Sequence, residues 1–151
     1  MSVLDIRRLE RDHGKFLAAH NQAVSDSAEE AAKAGERLAK RRPGFTPRRP
    51  NGAASKTKGR VIRRRGKVIR VQLSNTAKHA AILEKGSRPH IIAARPFKML
   101  RFVAGGKVIF RKAVRHPGTS AFRFLSKGRD VASRRFEQAI RPRMIRAAKS
   151  F

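Results

Sequence analysis

The chain has no cysteine, no tryptophan and no tyrosine, and only ten acidic residues among its 151. Without cysteine, disulfide scaffolds, Cys-ligated zinc and thiol catalysis are excluded. The missing tyrosine and tryptophan remove most of the rings on which a protein stacks unpaired bases, so reading of single-stranded sequence is disfavoured. No apolar run approaches the roughly 20 residues of a membrane span, and no membrane partner is expected. Asp5, Glu10 and Asp12 interrupt the short apolar runs at the start, which does not fit a secretory signal. Synthesis and folding in a cytoplasm are the expectation.

The scarcity of acid has a counterpart. Thirty-eight Lys and Arg leave a formal charge of +28. Self-repulsion on that scale opposes compaction unless a polyanion lies nearby, and nucleic acid is the foremost candidate. The charge is also segregated. Residues 1–36 hold seven of the ten acids and five bases, whereas residues 37–151 hold only Glu84, Asp130 and Glu137 against 33 bases. Two chemically different surfaces serving two kinds of neighbour is the simplest interpretation.

The length suits one domain with a modest core. Residues 3–40 read as one helix: Leu17, Val24, Ala31 and Leu38 recur every seven residues, with Leu9, Ala28 and Ala34 on the same broad face. Gly14 and Gly35 each weaken it by about 1 kcal/mol relative to alanine. Its alanine-rich stripe suits close packing, against the protein's own sheet or against a neighbouring subunit. Residues 41–60 contain three prolines, three glycines and no acid, and read as a basic arm or long loop. Such an arm can lie along phosphates without reading sequence, or serve as a solvated linker.

A hairpin is expected over 61–73, turning near Arg65-Gly66, with Ile69, Val71 and Leu73 on one face and Val68, Arg70 and Gln72 on the other. Arg63, Arg64 and Arg65 would project from its tip. A short helix over 76–85 would be capped within Ser74-Asn75-Thr76 and ended by Gly86. Residues 90–93 suggest a brief strand, and 98–112 a second hairpin turning at Gly105-Gly106. His116-Pro117-Gly118 is a turn, with Thr119 or Ser120 as cap for a last helix. Phe122, Leu125, Arg129, Ala132, Phe136, Ile140 and Met144 follow helical spacing there, and Pro142 should kink or interrupt it. The pattern is α+β: a small antiparallel sheet of two hairpins packed by a long N-terminal helix, a short middle helix and a C-terminal helix.

Chemistry-bearing groups are sparse. Glu84 is the only acid between Glu36 and Asp130, and Arg88, His90, Arg115 and His116 are its candidate partners. One carboxylate cannot hold the metal that phosphodiester hydrolysis usually requires, so a structural ion pair or turn anchor is expected. His13 and His20 stand seven apart, and no histidine pair shows the i, i+4 zinc spacing. His90 and His116 each border a proline and would fix loop geometry by hydrogen bonding. Neither a phosphate-loop spacing nor a Gly-x-Ser-x-Gly element is present, and no cofactor is implied. An enzyme is not the expectation.

The order Glu84-Lys-Gly86-Ser-Arg-Pro-His90, Gly105-Gly106, His116-Pro117-Gly118, then Phe122-Arg-Phe-Leu125 resembles the tail-completion, or minor tail Z-like, family of tailed bacteriophages. Ser87 stands where that family usually has threonine, and the proline often found at the start of its last helix is absent. The resemblance implies a virion protein of the phage neck, made in the host cytoplasm, with several copies (six or twelve) in a ring between portal and tail tube. Its neighbours would be head-completion (stopper), tail-terminator or portal and adaptor proteins. Arg41, Arg42, Arg48, Arg49, Lys56, Lys58, Arg63, Arg64, Arg65 and Lys67 would then face duplex DNA, through phosphates only, or acidic ring partners. A ribosomal-type RNA-binding protein also suits the charge. A nonspecific nuclease fits less well, for want of carboxylates.

Overall fold

A computed structural model of the protein describes residues 6–41, 52–65 and 67–149. The helix α1 runs Ile6–Arg41. Strands β1 (Thr57–Arg64) and β2 (Lys67–Asn75) form an antiparallel hairpin, and α2 (Ala80–Lys85) follows. Four short strands come next: β3 (His90–Ala93), β4 (Leu100–Ala104), β5 (Lys107–Arg111) and β6 (Ala113–His116). The last helix, α3, spans Phe124–Lys149. The class is α+β. The strands form three two-stranded ladders, β1–β2, β3–β6 and β4–β5, and among the described residues no single sheet joins the two hairpins.

The body is built on small residues. Ala28, Ala31, Ala32 and Ala39 of α1 are buried, as are Ala132 and Ala139 of α3. Without bulky side chains between them, the backbones come close. A methyl group on Gly35 would lie 2.7 Å from the Gly128 carbonyl oxygen, and one on Gly128 would lie 2.9 Å from that of Gly35. Next to this contact on α1, a methyl group on Gly59 would collide with the Ala32 carbonyl. Thus α1, the β1–β2 hairpin and α3 meet along an alanine–glycine seam, with the Leu73 side chain of β2 against Gly35, Gly59 and Gly128, and Gly35 is the contact point with α3 as well as a weak helix former. The alanine stripe is covered from within the chain.

Ion pairs staple this seam. Glu30 accepts from Arg143 at 2.9 Å and pairs with Arg135 at 2.7 Å. The hydrogen bond from Arg143, with the Arg135 charge beside it, holds the Glu30 carboxyl below its usual range despite partial burial. Glu36 accepts the Gly59 N–H at 2.8 Å and the Lys40 ammonium at 2.5 Å. Those bonds, the Gly59 N–H foremost, lower its pKa as well. Ala39, Ala80 and Phe124 close the core where the end of α1, α2 and the start of α3 meet, and Phe124 is wholly buried.

Several expectations are corrected. Residues 57–60 are strand, so the arm expected over 41–60 ends earlier: Ala53 and Ala54 are buried, and the Asn75 amide donates to the Ala53 carbonyl and to Thr57 Oγ1. Residues 42–51 lie outside the described residues. The β1–β2 register shifts between Ile62, opposite Arg70, and Arg63, opposite Val68, which leaves position 69 unpaired. That bulge moves Val68 onto the side of Val71 and Leu73, all three lining one cleft; the side chain of Ile69 and the turn residue Gly66 lie outside the described residues. Asn75 does not cap α2; its side chain accepts the Ala77 N–H at 2.8 Å and the helix begins at Ala80. Pro142 does not interrupt α3, which is helical on both sides of it.

Candidate functional site

The motif segments around Glu84–Gly86, His116–Gly118 and Phe122–Leu125 converge on one corner, while Gly105-Gly106 lies away from it at the tip of the β4–β5 hairpin. Gly86 ends α2 with φ 79°, and Gly118 has φ 93°, a region in which side chains other than hydrogen are strained. Between them Ser87 and Thr119 exchange two backbone hydrogen bonds, at 2.9 and 3.1 Å. The approach leaves no room for a side chain at either glycine: a methyl group on Gly86 would lie 2.5 Å from the Thr119 carbonyl oxygen, and one on Gly118 would meet that of Ser87. The His116 Nδ1 accepts the Gly118 N–H at 3.0 Å and so shapes the His-Pro117-Gly turn. His90 Nδ1 lies 2.9 Å from the Arg88 carbonyl, to which it donates. The two rings face each other across the β3–β6 ladder with centroids 5.1 Å apart.

Glu84 is the keystone. Its carboxylate accepts the Leu125 N–H at 2.8 Å, the Ser126 N–H at 3.0 Å and the Ser126 hydroxyl at 2.5 Å. These are the first free N–H groups of α3, so a side chain 41 residues before Leu125 caps that helix. Burial alone would raise its pKa, but the Ser126 hydroxyl, the two N–H groups and the nearby Arg129 outweigh that and lower it. The ion-pair partners expected from the sequence (Arg88, His90, Arg115 and His116) are not those the carboxylate meets. Thr119 and Ser120 do not cap α3 either; it starts at Phe124. Ser126 escaped sequence reading because a serine inside a helix carries no sign of a carboxylate arriving from elsewhere.

The cations distribute over distinct surfaces. Thr57, Gly59 and Val61 alternate toward α1, so Lys58 and Arg60 point away and are exposed. Register sets Lys58 opposite Ser74, Arg60 opposite Gln72 and Arg70 opposite Ile62, which makes an outer face with no acid on either strand. Lys56, Arg65 and Lys67 are exposed at the two ends of this hairpin, and Arg41 is exposed at the end of α1. Arg63 is not part of the face: it turns back to α1 and bonds Glu29 at 2.6 Å and Ser25 at 2.8 Å. Arg64 pairs with Lys67 through the backbone, and its side chain lies outside the described residues. Arg42, Arg48 and Arg49 lie outside them too. Arg60 and Arg70 were overlooked in the sequence; the alternation of Lys58 and Arg60 was the signal that could have found them.

The second ribbon stands apart from this body. Ala94 donates to the Lys112 carbonyl at 2.8 Å, extending the β3–β6 ladder toward the β4–β5 hairpin, which turns at Gly105-Gly106 with both φ angles positive. Residues 95–99 are looped out between the two ladders. A cleft of about 420 Å³ opens between α1, β2 and α3, lined by Val24, Val68, Val71, Leu73 and Phe136, with Arg129 and Glu137 of α3 as its charged groups and the exposed Arg70 of the outer face also bordering it. Among the described residues no three His, Asp or Glu side chains come together as a metal site would require. Among them, too, no helix is long and apolar enough to cross a membrane. Comparison with protein-family models, curated proteins and solved structures finds no match to this chain.

Proposed function

We propose that the protein is a structural component of a tailed-phage virion that completes the tail and joins it to the head as one subunit of a neck ring. The observation that carries this reading is the corner at Glu84, Gly86, His116 and Gly118, where the residues of the family resemblance interlock. Their polar groups are spent on each other: Glu84 caps α3, and His116 holds its own turn. Residues so engaged define a rigid joint, from which the ribbon over 90–116 leaves the body. A subunit that must grip neighbours at a fixed angle requires such a joint.

The outer face of β1–β2 supplies the second half of the reading. Lys58, Arg60 and Arg70, with Arg65 and Lys67 toward the tip, form a basic face suited to phosphates and to no particular sequence. A conduit lined this way neutralises passing DNA without stalling on it. In the phage that encodes the chain, a nonsense mutation in its gene should yield filled heads and free tails in electron micrographs. Purified wild-type particles should contain the protein in six or twelve copies each. Normal infectious yield from the nonsense mutant would overturn the proposal.

A further inference from the structure

The ribbon over 90–116 hangs from the body at one place. Residues 86–89 lead into it and residues 117–119 lead out, and Ser87 and Thr119 clasp the two segments by a pair of backbone hydrogen bonds. Beyond that clasp, strands β3–β6 make their extensive contacts only with one another. The angle at which the ribbon leaves the body therefore depends on the turn beside the clasp. Gly118, at φ 93°, is pressed against the Ser87 carbonyl, and His116 Nδ1 holds it there by accepting its N–H.

The partners of the two histidines fix where their protons sit. A backbone N–H only donates, so Nδ1 of His116 bears the lone pair and Nε2 the proton. A backbone carbonyl only accepts, so Nδ1 of His90 bears the proton that goes to the Arg88 oxygen. A further proton on His90 goes to Nε2 and leaves that bond intact. A further proton on His116 must go to Nδ1, the atom that accepts, and two N–H groups then oppose each other. The new charge finds no counter-ion either. Around it stand His90, its ring centroid 5.1 Å away across the ladder, Arg88 before β3, Arg115 beside it on β6, and Glu84, Lys85 and Arg123 on the body side of the corner. Glu84 is the single acid among them, and its oxygens are taken by α3.

We propose that this corner is a proton-operated hinge: protonation of His116 releases Gly118, opens the Ser87–Thr119 clasp and frees the ribbon to swing against the body. Histidine is the side chain that ordinarily changes charge between pH 8 and 5. The carboxyls of Glu30, Glu36 and Glu84, all held below 4.5, keep the body stapled over that interval. The hinge goes beyond the neck reading and does not rest on it; the rigid joint invoked there is its neutral state.

The test uses the full chain labelled with ¹⁵N and followed from pH 8 to pH 5. At pH 8 the imidazole spectra should show His116 protonated on Nε2 and His90 on Nδ1. In acid the Gly118 amide should lose about two- to tenfold in protection from exchange, corrected for the intrinsic rate, which is the worth of one hydrogen bond; Ser87 and Thr119 should follow it. His116→Asn keeps an acceptor oxygen at the same place and takes up no proton, so its Gly118 protection should stay level across the range. His90→Gln should retain the wild-type transition. Because the chain has no cysteine, spin labels at Val103→Cys on the ribbon and Arg134→Cys on the body report the swing, as a distance distribution that broadens at pH 5. Unchanged Gly118 protection in the wild type would overturn the inference, as would an acid transition that persists in His116→Asn or a distance distribution that stays narrow. His116 carrying its proton on Nδ1 at pH 8 would overturn it whatever the variants do.

Discussion

Replacing Glu84 tests the keystone directly. Glu84→Ala leaves the Leu125 and Ser126 N–H groups and the Ser126 hydroxyl without the acceptor they now share. Loss of a helix cap costs about 0.5–2 kcal/mol, and loss of a charge at a helix N-terminus about 0.3–1 kcal/mol more. The sum is about 2 kcal/mol, which lowers the melting temperature of a chain this long by about 4–8 °C. Glu84→Gln keeps one acceptor oxygen and should lose about half as much. The pH dependence has a definite sign. The Glu84 pKa is lowered in the folded state from an ordinary value of 4.5. Its contribution is therefore complete above that ordinary value and fades as pH falls through the lower, folded value. Thermal unfolding followed at 222 nm should show the gap between wild type and Glu84→Gln full at pH 7 and shrinking as the pH is taken below 4.5. A Glu84→Ala protein within about 0.3 kcal/mol of wild type at pH 7 would refute the capping argument, because removing a working cap costs at least about 0.5 kcal/mol. So would a gap between wild type and Glu84→Gln undiminished at pH 2.

Three further outcomes are expected. Gly14→Ala, with nothing within 4 Å of the added methyl group, should stabilise by about 0.5–1 kcal/mol, while Gly35→Ala should destabilise by about 1–3 kcal/mol despite the better helix former; paired urea titrations read both. Glu30→Gln leaves Arg143 partly buried with a weaker partner and should lower the stability read from the urea midpoint by about 1 kcal/mol at unchanged m, the difference shrinking in acid because the Glu30 pKa is lowered. Replacing Lys58, Arg60 and Arg70 together by alanine should reduce the slope of log K against log salt for random-sequence duplex DNA by about 2–3, whereas Arg63→Ala, already paired with Glu29, should leave it nearly unchanged.

The elements with strong periodicity or unmistakable punctuation were legible in the chain. The long helix, the two hairpin turns and the glycine that ends α2 each follow from local chemistry, since the deciding residues are neighbours. What escaped was decided at a distance. The start of α3 moved from Thr119 to Phe124 because its acceptor comes from Glu84. The facing of Val68 changed because one unpaired residue in β2 reverses the alternation beyond it. Pro142 sits in a continuous helix whose neighbouring turns are held to α1 by the Arg143–Glu30 pair, and local propensity yielded to that packing.

The same division runs through the function. Composition by itself determined that the chain has no thiol chemistry and an excess of cations, and that its acids gather in the first helix, because such counts need no coordinates. Which cations stand free was a tertiary decision. Arg63 belongs to the most basic run of the hairpin yet is folded onto Glu29, while Arg60 and Arg70 gain an open face from strand register. The scarcity of acid also takes on a particular form: Glu84, Glu36 and Glu30 are each held at a joint between elements. In a chain this positive, a carboxylate placed where backbone N–H groups and guanidinium groups converge is what binds the helices and the hairpin to one another.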